Sequence, residues 1–193
     1  MPDQRPALDR PRPGRASLLR RFRRDRRGAT AVEFSLVALP FFGMLFAIME
    51  TALVFWSGQV LEVAVADASR ALYTGNFQNN PNNATDVANK FRTSICDKAG
   101  ALIANCTSNV YVDVRVLPKF GSTSIPDPVK NGDIDPTAFG YMSPKAKEVV
   151  LVRAAVAVPI HTLKLNPGLS NLNGGKRLIM ASAAFMTEPY AAN

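Results

Sequence analysis

The longest apolar stretch of the chain predicts its first element. Residues 34 to 49 carry no charge, Glu50 interrupts the pattern, and apolar residues resume as far as Trp56. A helix over the 23 residues from Phe34 to Trp56 is about 34 Å long, enough to cross a hydrocarbon core of about 30 Å. The pattern predicts a transmembrane helix over 34–56 that tolerates Pro40, with Trp56 at the membrane interface.

Apolar residues recur at spacings of three and four beyond Trp56, so we expect the helix to continue out of the membrane. A single helix over 29–73 is roughly 67 Å long, which exceeds the thickness of a bilayer. The part of the helix that extends beyond the bilayer must pack on the part of the chain that follows, residues 74–193.

That part reads as a short helix over 85–98 followed by strands. Valines alternate over 110–117, a more apolar segment covers 148–160, and a third segment covers 176–187. The alanine and methionine content of the third segment also suits a helix, so both interpretations stay open. A long connection, 118–147, separates the first two strands. The fold class is α+β: a long helix packed on a small antiparallel sheet of about three strands, with one short helix.

The net charge of +8 is concentrated at the N-terminus. Ten arginines and three aspartates give +7 within residues 1–28, which leaves +1 for the rest. Such an arm either binds nucleic acid or orients an adjacent apolar span with its N-terminus in the cytoplasm. The adjacency favours membrane orientation, so we expect no nucleic-acid partner. Its prolines and charge predict a disordered leader.

The remaining chemistry points away from catalysis. His161 is the single histidine, and no phosphate-binding glycine motif is present. We expect no enzyme, no cofactor and no metal site. Cys96 and Cys106 suit a disulfide if residues 74–193 lie on the oxidising side of the membrane, and a metal site is the weaker alternative.

Two carboxylates flank the apolar run. Glu33 either lies at the headgroups, where it complements the positive end of the helix, or pairs with an amine. Cleavage after Gly28 would give Ala29 a free ammonium one helical turn from Glu33. Glu50, inside the predicted span, is expected to face a neighbouring helix.

The segment RRGATAVEFSLVALPFF, with basic residues before Gly28 and about twenty apolar residues after it, resembles the cleavage motif of type IV-like prepilins. More narrowly, it resembles the start of TadE/TadF pseudopilins of the tight-adherence (Flp) pilus system. The closing segment ASAAFMTEPY, residues 181–190, is similar to the end of TadE-like proteins.

The resemblance implies specific roles. Gly28 would precede the bond cut by a membrane prepilin peptidase, and Ala29 would become the mature N-terminus. Glu33 would act in peptidase recognition or subunit docking, and Pro40 belongs to the matching motif. Phe34 stands where major Flp pilins carry tyrosine, which implies a minor subunit in a pilin-like fold.

These expectations give a cytoplasmic leader (1–28), a helix (29–73) and a periplasmic α+β domain (74–193) anchored in the inner membrane. The expected function is that of a minor pseudopilin in pilus assembly, with the prepilin peptidase, other pilins and the assembly platform as partners. The alternative is a signal-anchored periplasmic binding or scaffold protein.

Overall fold

The computed structural model describes residues 28–75, 84–121, 125–162 and 167–189. The predicted disordered leader, most of the loop predicted after the first helix, and the end of the closing segment lie outside the described residues. The chain divides into two compact units, residues 1–44 and 45–193.

The first element is one uninterrupted helix, α1, of 45 residues from Ala29 to Tyr73. It has the predicted bounds and includes Pro40. No residue between Ala29 and Met49 is buried. Buried residues appear from Val54 onward, at the spacings of three and four that define one helix face. The helix is long and apolar enough to span a membrane.

The three predicted strands form one antiparallel sheet, which settles the third segment as a strand. Its apolar residues alternate between the two faces, and each of its positions pairs with the central strand. The order is β1–β4–β5, and the bounds are β1 Val110–Leu117, β4 Val149–Pro159 and β5 Lys176–Met186.

The core lies between one face of this sheet and the C-terminal part of α1, from Val54 to Tyr73, which is called its outer half. Leu61, Val65 and Leu72 of α1 are at most 1% exposed, and they pack with the face of the sheet that carries Val114 and Val152. Two further helices complete this layer: α2 Ala84–Ala99 and the short α3 Cys106–Asn109. The α+β prediction is confirmed, and α3 is an addition to it.

The long connection between β1 and β4 contains elements that the sequence analysis did not predict. It contains a two-stranded hairpin, whose strands are β2 Val129–Lys130 and β3 Asp133–Ile134, and a 3₁₀ turn at Pro136–Ala138. Asn131 and Gly132 both have positive φ, at 55° and 79°. An Asn-Gly pair is the usual choice for such a two-residue hairpin turn, so this signal was readable and was missed.

Candidate processing and assembly site

The site predicted at the start of α1 begins with an exposed glycine. Gly28 directly precedes the helix, and its φ is not positive. A Cβ added at Gly28 would have no atom of the described chain within 4 Å. Neither backbone conformation nor packing within the described residues therefore requires glycine at this position.

The other predicted residues lie along the same exposed helix. Glu33 is one turn from Ala29, a separation of about 6 Å along the axis. Phe34 is 69% exposed, and Pro40 is also exposed. Within the described residues, no ion pair or hydrogen bond involves the Glu33 side chain. The first turns of α1 thus carry an exposed carboxylate that has no partner among the described residues.

Glu50 does not face a neighbouring helix, so that expectation is wrong. Its carboxylate is only 13% exposed, and the loop after β4 supplies its partners. The backbone N–H groups of His161 and Thr162 both donate to it, the latter at 2.8 Å, and the Thr162 hydroxyl donates as well. The His161 ring Nδ1 lies 3.4 Å from Oε1. Glu50 is therefore an internal anchor between α1 and the sheet.

Sequence reasoning missed this role because the partners are mainly backbone groups of a loop 111 residues away. The single available signal was the isolated carboxylate itself, since a charge in an apolar run needs some partner.

The family comparison matches the segment in which these residues lie. A family described as TadE-like protein matches residues 28–70, from Gly28 into the last turns of α1. Over this segment the chain is similar to TadE-like proteins. The resemblance drawn from the sequence is thereby confirmed, and the family suggests a role in tight-adherence pilus systems. No curated protein and no solved structure matches the chain.

Beyond the TadE-like segment, a buried ion pair joins β1 to β4. Asp113 is fully buried and Arg153 is 4% exposed. They are direct cross-strand neighbours, and Arg153 Nη2 lies 2.6 Å from Asp113 Oδ2. Asp113 also accepts hydrogen bonds from Arg115 Nε and from the Gly140 N–H, each at 2.9 Å.

This cluster holds the long connection on the sheet face that lies opposite the helices. Both arginines donate to the carbonyl of Ala138, and Arg153 lies over the ring of Phe139 at 5.8 Å. Burial of a charge is costly unless it is paired and hydrogen-bonded, and here each charge is. The sequence signal for this pair was an acidic residue within apolar β1 and an arginine within apolar β4.

The predicted cysteines lie at the end of α2 and the start of α3, and the structure joins them in a disulfide. The Cα atoms of Cys96 and Cys106 are 5.6 Å apart. Lys98 of α2 forms an ion pair with Asp67 of α1, and this contact holds the pKa of the Asp67 carboxyl below its usual value. Together these links fix α2 to α1 and to the start of the sheet.

An open groove of about 690 Å³ lies beside the Glu50 anchor. The Glu50–Ser57 part of α1, the loop 101–104, the end of β4 and Lys176 all line it. Its surface is mainly apolar, as is common for sites that bind small molecules or peptides.

Proposed function

We propose that this chain is a minor pseudopilin that acts in the assembly of tight-adherence pili and is cut after Gly28 by a prepilin peptidase. The leader orients the precursor with its N-terminus in the cytoplasm, and residues 74–193 are periplasmic. After cleavage, α1 packs with helices of neighbouring pilins in the inner membrane and with the assembly platform.

The observation that carries the proposal is the absence, in the described part of the chain, of a structural reason for glycine at position 28. Within the described residues, no contact and no backbone strain calls for glycine there, although glycine has a cost in conformational entropy. A requirement imposed by an external enzyme accounts for it, and an exposed residue directly before a helix suits that enzyme. The TadE-like match begins at this same residue.

Glu33 supports the same function. A carboxylate within an apolar helix is costly in a bilayer unless it is paired. The ammonium that cleavage creates at Ala29, on the same chain or on a neighbour, is a partner of the required charge about one turn away. Pairing of this kind would allow the mature chain, and not the precursor, to dock.

The Glu50 anchor favours a membrane span that is shifted toward the N-terminus. Its partners belong to an irregular loop, and lipid-exposed irregular backbone is not tolerated within the hydrocarbon. The hydrocarbon therefore ends before Glu50. Residues 29–49 are all unburied, and this stretch is about 31 Å long, close to the thickness of the hydrocarbon core. The span proposed is 29–49 in place of 34–56.

Substitution of Glu33 tests the assembly role. We expect Glu33→Ala to reduce the amount of this chain that copurifies with sheared pili at least tenfold. The matched control is Glu62→Ala, which removes an exposed glutamate from the outer half of the same helix. Equal recovery of both variants and the unaltered chain would contradict the role of Glu33.

A second candidate function is supported by the groove beside Glu50. A signal-anchored periplasmic protein that binds an apolar ligand there would need neither cleavage nor Glu33. That function predicts that Glu33→Ala leaves localisation and partners unchanged. It also predicts that Leu53→Lys, a substitution at an exposed position in the wall of the groove, abolishes ligand binding without changing localisation.

A further inference from the structure

The two edges of the main sheet differ in how the chain covers them. At the β1 edge, Val114 exchanges backbone hydrogen bonds with the segment from Gly140 to Met142, each at 2.8 Å. At the β5 edge, no strand of the described residues pairs. An edge strand presents a row of unpaired N–H and C=O groups, which is a template for another strand.

Backbone direction defines which groups of β5 point outward. The Thr187 N–H donates to Glu148 at the end of β4, so odd-numbered residues of this segment point toward β4. Even-numbered residues point to the outer edge. The outward groups at the two ends have partners: the Leu178 N–H donates to the Asn171 side chain, and the Glu188 N–H donates to the Tyr73 carbonyl.

Between these two caps lies a window from Met180 to Met186. The outward N–H and C=O groups of Met180, Ser182, Ala184 and Met186 form no hydrogen bond within the described residues. The usual protections of an edge are also missing, since residues 178–187 contain no charge and no proline and the pairing with β4 has no bulge. The side chains of Met180 and Met186 are 45% and 49% exposed.

A second copy of this chain does not fit the window through antiparallel β5–β5 pairing. Antiparallel β5–β5 pairing in one continuous sheet requires a two-fold axis perpendicular to the sheet. The outer half of α1 runs in the same direction as β5, because Glu50 lies at the level of His161 and Tyr73 at the level of Glu188. The two α1 helices would then run in opposite directions, whereas chains inserted alike in one bilayer need parallel helices. At the β1 edge of a second copy, the segment from Gly140 to Met142 already pairs with Val114.

We propose that the Met180–Met186 edge binds an extended segment of a different protein of the pilus assembly, which adds as a fourth strand to the sheet. This strand-addition mode supplies main-chain hydrogen bonds for affinity. The segment is uncharged over about seven residues, to match the window. It runs antiparallel to β5 and has an acidic residue just after these seven, where it meets the exposed side chain of Lys176. This contact rests on the pilus role proposed above and is separate from the helix contacts of α1.

Amide hydrogen exchange of the full-length chain tests the proposal. The chain is measured alone in lipid nanodiscs and in membranes from cells that express the whole pilus system. We expect exchange at Met180, Ser182, Ala184 and Met186 to slow at least tenfold in the membranes. Slow exchange in the nanodiscs would overturn the proposal, since the chain itself or a second copy would then cover the edge. Fast exchange in both samples would overturn it as well.

Two variants link the protection to strand addition. Ala184→Pro removes one outward N–H, and proline is tolerated at such edge positions, whereas Ala184→Ser keeps the N–H. We expect Ala184→Pro to abolish the slowing at Ser182 and Met186, and Ala184→Ser to retain it. The inward amides of Ala183 and Phe185 report whether the sheet is intact. Slowing that survives in an intact Ala184→Pro chain would also refute the fourth strand.

Discussion

Removal of the Glu50 side chain tests whether this residue holds the outer half of α1 on the sheet. In Glu50→Ala, the N–H groups of His161 and Thr162 and the Thr162 hydroxyl lose their common acceptor. The Glu50 side chain is 13% exposed, and the His161 side chain is 81% exposed. Water can therefore reach part of the vacated site, mainly on the His161 side.

The expected loss follows from these exposures. A hydrogen bond to a charged group contributes about 1.5–3 kcal/mol. The hydrogen bond from the Thr162 N–H is part-buried, so its loss should cost an amount near the middle of this range. The N–H of His161 is exposed, so water can replace most of the hydrogen bond that it loses. We therefore expect Glu50→Ala to lower the free energy of unfolding of the unit of residues 45–193 by about 2–3 kcal/mol. For a unit of this size the melting temperature should fall by roughly 5–10 °C.

The assay is thermal unfolding of the full-length chain in detergent micelles, followed by near-ultraviolet circular dichroism. Glu50→Gln keeps an oxygen acceptor without the charge, so it should lose about half as much as Glu50→Ala. Glu62→Ala, at an exposed position on the same helix, should change stability by less than about 0.5 kcal/mol. If the Glu50→Ala and Glu62→Ala variants had the same melting temperature, Glu50 would not be an anchor.

Three further predictions concern the domain and its position on the membrane. Arg153→Leu leaves Asp113 without its main buried partner and should cost about 3–5 kcal/mol in chemical denaturation. The double substitution with Asp113→Leu should recover most of that loss, and a double variant as unstable as the single one would contradict the pairing argument. Reduction of the Cys96–Cys106 disulfide should cost about 2–3 kcal/mol, and a melting temperature unchanged by reductant would argue against a stabilising bridge. Trp56, the single tryptophan, should lie about 10 Å beyond a span that ends at residue 49. Acrylamide should therefore quench its fluorescence more strongly than brominated lipid tails do. Stronger quenching by the lipid tails would favour the span 34–56.

Much of the fold was predictable because its signals are local and periodic. Alternating valines identify β1. A continuous apolar run, followed beyond Trp56 by apolar spacings of three and four, identifies α1 as one helix. The choice of strand or helix for 176–187 could not be made locally. Its alanines suit both states, and pairing with β4 along its entire length decides the outcome.

The contacts of Glu50 and Asp113 were beyond local reasoning for a different reason. Glu50 and His161, and likewise Asp113 and Arg153, are at least 40 positions apart. The partners of Glu50 are chiefly backbone groups, which carry no sequence signature. The proposed processing site is the opposite case. Gly28 and Glu33 were identified from sequence, and the fold gives them no task among the described residues, which is the expected result for residues that act on other molecules.

The most direct measurement of the central claim is the intact mass of this chain extracted from membranes of cells with and without the prepilin peptidase. The account predicts a chain that begins at Ala29 when the peptidase is present and a precursor that retains residues 1–28 when it is absent. A precursor mass in both strains would contradict processing at Gly28, and with it the function proposed for α1.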